Sequence, residues 1–183
     1  MRTTRVLRRA ATVLAAITAA VLLSPGQASA APVAPLSATA FTPLTASTNA
    51  LAGVYLRTGL STTLVLDAKP STVHNNGGTI YQWTYNGGVQ QRWYVLTDDT
   101  IRPEADTGMC LDANPNTNQN GGTVYLWACN GGSQQKWTFT GTGGIKNTHS
   151  GRCLDMNPNT AYNGGTIYQW SCNGSPQQTW YYK

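Results

Sequence analysis

The sequence predicts an all-β protein: a small threefold barrel closed by a hairpin cap. Three observations carry this. Three residue blocks recur in the same order three times along the 183-residue chain. Asn-Gly steps, strong tight-turn signals because both residues tolerate positive φ, punctuate each copy. No segment beyond the N-terminal region has apolar residues at helical spacing.

Residues 1–30 read as a secretory signal peptide. A basic stretch ends at Arg8-Arg9, an uncharged apolar run of 14 residues follows from Ala10 to Leu23, and Ala28-Ser29-Ala30 presents small residues for cleavage before Ala31. The run is short of the roughly 20 residues that span a bilayer, so no membrane span is expected after cleavage. The paired arginines touch on a twin-arginine route, but the residues around them favour general secretion. Residues 31–52 contain Pro32, Pro35 and Pro43 among Ala, Ser, Thr and Leu, with no apolar period, and read as a flexible linker or pro-segment. The folded domain is expected over residues 53–183.

The repeats are explicit. Gln91-Arg92-Trp93, Gln135-Lys136-Trp137 and Gln178-Thr179-Trp180 share the pattern Gln-x-Trp, with their Trp residues 44 and 43 positions apart. Upstream stand Leu66-Asp67-Ala68, Leu111-Asp112-Ala113 and Leu154-Asp155-Met156. Between these lie Asn76–Trp83, Asn120–Trp127 and Asn163–Trp170, each reading Asn-Gly-Gly-Thr-(Ile/Val)-Tyr-x-Trp. About 43 residues with such turns leave room for four short strands per repeat. One repeat cannot bury its own apolar face, so all three are expected to fold as a unit. Propeller blades have a similar length, but propellers need at least about four of them.

Four cysteines in an exported chain point to disulfides. Cys110 and Cys129, and Cys153 and Cys172, are each 19 residues apart at matching repeat positions, so within-repeat bonds are expected. Val65 and Tyr85 hold these positions in the first repeat, which has no bond. Metal binding by the thiols is disfavoured: there is no Cys-x-x-Cys step, and His74 and His149 fall at unrelated positions. No metal or other cofactor is expected.

Strand alternation then sorts the repeated pattern into faces. With Ile80, Val124 and Ile167 inward, Tyr81, Tyr125 and Tyr168 and also Trp83, Trp127 and Trp170 point outward, as a Tyr and Trp two residues apart. A flat ring can carry the C–H face of a sugar while its polar edge hydrogen-bonds. Asp67, Asp112 and Asp155 offer carboxylates for charge-assisted bonds to adjacent hydroxyls. Gln90-Gln91, Gln134-Gln135 and Gln177-Gln178 add amides, one of each pair suited to orienting the Asp. Acid, amide and ring together form a polyol-binding constellation that occurs three times. Trp93, Trp137, Trp180, Leu66, Leu111 and Leu154 are read as core. The competing readings are core packing for the outward Trp, turn capping for the Asp, and scaffold roles for the Gln and Tyr.

This set of motifs resembles the ricin B-type lectins, also classed as family 13 carbohydrate-binding modules. The resemblance rests on the three Gln-x-Trp motifs, on Cys110-Leu111-Asp112 and Cys153-Leu154-Asp155, and on Trp127-Ala128-Cys129 and Trp170-Ser171-Cys172. It implies a β-trefoil with up to three shallow sugar sites built from the Asp after Cys-Leu, the aromatic before the second Cys, and the polar pair opening Gln-x-Trp. The chain departs from the family pattern in several places. The first repeat lacks both cysteines and has one extra residue between Asp67 and Asn76. Gln90, Gln134 and Gln177 replace a common Asn. Tyr81, Tyr125 and Tyr168 replace a common Gln, which is similar to small mannose-binding lectins. Gln82 and Gln169 occupy an inward phase where Leu126 fits better.

Charge narrows the function classes. Four of the twelve basic residues lie in the first ten positions, and the remaining eight nearly balance seven acids. With no basic run in the body, nucleic acid is not an expected partner. The expected function is non-catalytic, multivalent binding of polysaccharide or glycan by a secreted protein. Two alternatives compete: a targeting subunit for a separately encoded hydrolase or toxin, and a protein-binding trefoil of the protease-inhibitor type. No Ser-His-Asp or paired-carboxylate arrangement recurs to support catalysis within the chain. Galactose, mannose and xylose polymers all fit the pattern.

Overall fold

The computed structural model describes Thr42–Pro43 and residues 50–183. The signal-peptide reading of residues 1–30 lies outside the described residues. After the two-residue β1 (Thr42–Pro43), each repeat contributes four strands, as its turns predict. The first has β2 (Leu51–Thr58), β3 (Leu64–Ala68), β4 (Ile80–Thr84) and β5 (Arg92–Val95). The second has β6 (Ile101–Pro103), β7 (Met109–Ala113), β8 (Gly122–Ala128) and β9 (Trp137–Phe139). The third has β10 (Ile145–Asn147), β11 (Cys153–Met156), β12 (Gly165–Trp170) and β13 (Trp180–Tyr182).

The outer strands of the repeats form a closed ring. Antiparallel pairs join β13 to β2, β2 to β5, β5 to β6 and β9 to β10. Trp137 N donates to Asp99 O at 2.8 Å and Trp180 N to Gly143 O at 2.9 Å, linking the remaining neighbours. The inner strands form three hairpins, β3–β4, β7–β8 and β11–β12. These meet as a cap through β12–β4, β12–β8 and the Gly78–Leu126 bridge. A six-stranded barrel under a triangular hairpin cap, with pseudo-threefold repetition, is a β-trefoil.

Where the repeats meet, the core is shared. Trp93, Trp137 and Trp180 are fully buried, as are Leu66, Leu111 and Leu154. Each indole N–H donates to the carbonyl of the matching leucine, at 3.0, 2.9 and 3.0 Å. A large apolar ring is thereby buried without orphaning its polar atom. Ile80, Val124 and Ile167 also face inward, so the expected strand phase holds. Gln82 and Gln169 keep that phase despite their polarity. Gln82 Nε2 donates to Asn157 O and Thr166 O at 2.9 and 3.1 Å, and Gln169 Nε2 to Thr117 O at 3.1 Å. They tie the cap strands to carbonyls of a neighbouring repeat, each of which also accepts from a backbone N–H.

Two departures from expectation concern local chemistry. Strand appears inside the stretch read as linker, because Thr42–Pro43 pairs with Tyr181–Tyr182 and β2 begins at Leu51. The partner strand lies at the opposite end of the chain, beyond the reach of any local pattern. At all six Asn-Gly steps the glycine, not the asparagine, takes positive φ, for example +80° at Gly121 and +77° at Gly131. The asparagine is left free to hydrogen-bond.

Both cystine pairs form within repeats, Cys110–Cys129 and Cys153–Cys172. In the first repeat Val65 is fully buried against Tyr55, Tyr85 and Tyr181, so an apolar cluster fills the place of the covalent link. Tyr55 and Tyr85 meet edge to face with centroids 4.8 Å apart. Among the described residues no helix is long and apolar enough to cross a membrane.

Candidate functional site

Each cap hairpin presents the same outward face. Register sets Asp67 opposite Tyr81 and Val65 opposite Trp83, Asp112 opposite Tyr125 and Cys110 opposite Trp127, and Asp155 opposite Tyr168 and Cys153 opposite Trp170. Because side chains alternate along a strand, each Asp, Tyr and Trp shares one face. The Tyr and Trp rings form tilted shelves with centroid separations of 5.1, 5.4 and 5.3 Å and interplanar angles of 35°, 39° and 34°. That near-identity follows from the shared Thr-(Ile/Val)-Tyr-x-Trp strand and its common register. Trp127 is exposed, and the other five rings of the three shelves are half-buried.

The acids lie at the floor. Asp67, Asp112 and Asp155 are only 1–2% exposed. One carboxylate oxygen, Oδ2, accepts from Nε2 of Gln91, Gln135 or Gln178 at 2.8, 2.9 and 2.8 Å. Among the described residues the other, Oδ1, makes no hydrogen bond within 3.5 Å in any of the three, although Gln90 and Gln134 stand near enough to favour the ionised forms of Asp67 and Asp112. Burial raises all three carboxyl pKa values and pushes Asp67 furthest, up to about 6; it outweighs the opposing amides of Gln91 and Gln90 at Asp67, of Gln135 and Gln134 at Asp112, where the nearby His149 also opposes it, and of Gln178 at Asp155. Burial also raises Tyr81, Tyr125 and Tyr168, with the adjacent Asp charge adding to it. A buried carboxylate with an unsatisfied oxygen is costly unless something donates to it.

The two glutamines of each pair divide their work. Gln91, Gln135 and Gln178 are buried, and their amides are consumed by the protein. Beyond the Asp, each Nε2 donates to Thr84 O, Ala128 O or Ser171 O, and each Oε1 accepts from Asn86 N, Asn130 N or Asn173 N. The second glutamine therefore orients the acid and does not face the opening. Gln90 and Gln134 are part-exposed and lie 3.4 Å from Asn86 Oδ1 and Asn130 Oδ1, while Gln177 is part-exposed at the matching position.

In the second repeat these groups enclose an open cleft of about 240 Å³, lined by Asp112, Pro115, Asn116, Tyr125, Trp127, Asn130 and Gln134. Pro115, Asn116 and Asn130 were missed by the sequence reading. A signal existed: Asn-Pro-Asn-Thr recurs at 114–117 and 157–160, and Asn130 begins one of the Asn-Gly steps. Asn114 and Asn157 each accept from the backbone N–H two residues on, at 2.9 and 3.0 Å, which fixes the cleft wall as a 3₁₀ turn. The first repeat has Lys69-Pro70-Ser71 there instead, consistent with its extra residue.

The arrangement offers a stacking surface, an anionic acceptor and amide groups. Each acid stands in its own repeat, and among the described residues no three His, Cys, Asp or Glu side chains converge. His74 instead pairs with Asp106 at 2.8 Å on the surface.

Residues 52–180 match the ricin-type beta-trefoil lectin domain. The chain belongs to this family. Its trefoil superposes on the designed threefold-symmetric protein ThreeFoil with a TM-score of 0.62 at 24% identity, over 71% of this chain and 97% of that one. The agglutinin from Abrus precatorius aligns with a TM-score of 0.60 at 25% identity, over 75% of this chain and 49% of its own. The exo-beta-1,3-galactanase 1,3Gal43A from Clostridium thermocellum aligns with a TM-score of 0.60 at 31% identity, over 70% of this chain. This ricin-type domain spans only 29% of that enzyme. No curated protein matches the chain significantly by sequence.

Proposed function

We propose that this ricin-type trefoil is a secreted, non-catalytic lectin that binds polysaccharide or glycan through up to three shallow sites. The observation that carries the reading is the buried, unpartnered Asp oxygen beneath a Tyr–Trp shelf, repeated in all three hairpins. Such an oxygen is oriented before any ligand arrives, because Gln91, Gln135 or Gln178 holds its twin. A pair of sugar hydroxyls would satisfy it, while the ring's C–H face rests on the indole. Gln90, Gln134, Gln177 and the Tyr hydroxyls would contact the polar rim.

Open sites of this kind bind weakly, near about 1 mM or −4 kcal/mol each. Three on one rigid body gain roughly 10²–10⁴ in avidity on a repetitive polymer. Export through residues 1–30 and the two within-repeat disulfides suit an oxidising extracellular setting. The lectin and galactanase likenesses support sugar binding, either as a free lectin or beside a separately encoded hydrolase.

A glycan array tests the reading. The full chain is expected to bind one family of glycans, and the triple variant Asp67→Asn, Asp112→Asn, Asp155→Asn to bind none while keeping its far-ultraviolet spectrum. An array with no bound glycan, or a folded triple variant that binds as well, overturns it.

A further inference from the structure

The Asn-Gly-Gly turns do more than reverse the chain. Asn76 Oδ1 accepts from Ala128 N at 2.7 Å, Asn120 Oδ1 from Ser171 N at 2.8 Å, and Asn163 Oδ1 from Thr84 N at 2.7 Å. Each accepting asparagine belongs to one repeat, and each donor immediately follows the shelf Trp of the next. At two of the three turns the adjacent glycine borders the indole: a Cβ on Gly121 or Gly164 would lie 3.8 Å from Trp170 Cζ3 or 3.9 Å from Trp83 Cζ3, whereas one on Gly77 would meet nothing within 4 Å. Every aromatic shelf therefore ends on the turn of the preceding repeat.

At the third site this rim carries a cation. Arg152 Nε donates to Asn118 Oδ1 at 3.1 Å, and its Nη1 to Asn120 Oδ1 at 2.7 Å and Ser171 Oγ at 3.0 Å. All three acceptors are neutral, and none of the ion pairs among the described residues includes Arg152. Its Nη2 donates to no described residue. The guanidinium is held by three hydrogen bonds at a part-exposed position among the exposed Asn118, Asn120 and Ser171. The matching positions of the other repeats are Leu64 and Met109, both buried. Arg152 therefore has no counterpart at the matching position of the other two repeats.

We propose that the third site extends across the repeat boundary onto Arg152 and there selects saccharides bearing a carboxylate, with a uronate unit next to the sugar stacked on Trp170. This rests on the lectin reading of the shelf. A guanidinium already oriented by neutral acceptors keeps two donors on Nη2 for a planar carboxylate and loses little freedom on binding. The exposed setting limits the gain and makes it sensitive to salt.

The test uses the full chain as Trp83→Ala/Trp127→Ala, which leaves the third site alone. Calorimetry compares neutral and carboxylated oligosaccharides of matched length: galactotriose with trigalacturonate, mannotriose with trimannuronate, and xylotriose with its glucuronyl derivative. Within one pair, the acidic member is expected to bind about three- to tenfold more tightly at low salt. Arg152→Gln is expected to abolish that preference, and Arg152→Lys to keep part of it. Equal binding of both members, or a preference that survives Arg152→Gln, overturns the Arg152 assignment. So does binding by the wild-type chain with none by the double variant. If the wild-type chain binds no oligosaccharide of either kind, the lectin reading itself fails.

Discussion

The first repeat and its two successors reach one site geometry by different means. The second and third repeats brace the strands that carry Asp and Trp with a disulfide. The first braces them with Val65 packed among Tyr55, Tyr85 and Tyr181. Yet the three ring shelves differ by only 0.3 Å in centroid separation and 5° in tilt. The Asp–Gln bonds agree to 0.1 Å. The covalent links therefore stabilise the hairpins without defining the site. What defines it is common to all three: strand register, the buried second glutamine, and the asparagine reaching over from the neighbouring repeat.

The largest effects should ignore this difference between repeats. Trp93→Ala and Trp137→Ala each remove a fully buried indole and its bond to a leucine carbonyl. Each is expected to cost about 3–5 kcal/mol in chemical denaturation. A mild effect for Trp93→Ala alone would show that the unstapled repeat stands outside the shared core. The next effect belongs only to the stapled repeats. Replacing Cys110 and Cys129 together by Ala releases a 19-residue loop and should lower stability by about 3 kcal/mol. Titration of Asp112-dependent binding by the same variant should change little, and loss of that binding would make the disulfide part of the site.

The third effect separates the sites by pH. Asp67 is pushed to about 6 by burial, above its unfolded value near 3.9. A raised carboxyl pKa means the folded state prefers the protonated form. Stability from this group is fully present below about pH 3.9 and is lost as pH rises through 6, a span worth about 3 kcal/mol. Asp67→Asn should therefore be more stable than the wild type at pH 7, and this advantage should vanish near pH 3, as thermal scans at both pH values can read. The ionised form is the one that accepts from sugar hydroxyls. Binding at the first site should weaken about tenfold between pH 7 and 5 and fall before binding at the other two. Three sites fading together would sink that ordering.

The smallest effect on stability falls on the exposed shelf. Trp127 is 37% exposed, so Trp127→Ala should change unfolding free energy by less than about 1 kcal/mol. Affinity at its site should still drop roughly tenfold, about 1.4 kcal/mol. A large stability loss with unchanged binding would return Trp127 to the core.

Much of this frame was legible in the sequence because the repeat makes each pattern its own control. The buried Trp93, Trp137 and Trp180, the inward Ile80, Val124 and Ile167, and both cystine pairs follow from period and matched spacing. The features that escaped depend on partners distant in the chain. Gln82 sits inward because Asn157 and Thr166, from another repeat, supply carbonyls. Asn76, Asn120 and Asn163 looked like turn formers, but glycine alone meets the turn's backbone demand and frees them to clamp a neighbour. Gln90 and Gln91 were interchangeable by composition, and only the alternation around the 3₁₀ turn turns one inward and the other outward. Asn130, on the cleft wall, was hidden by the same double use of Asn-Gly.

The central assertion is that three indoles serve ligand and three serve the core. Indole nitrogen resonances of the full chain, followed during addition of a glycan found on the array, test it most directly. Shifts are expected at Trp83, Trp127 and Trp170, with Trp93, Trp137 and Trp180 unmoved. Shifts confined to the second set, or none at saturating glycan, would contradict it.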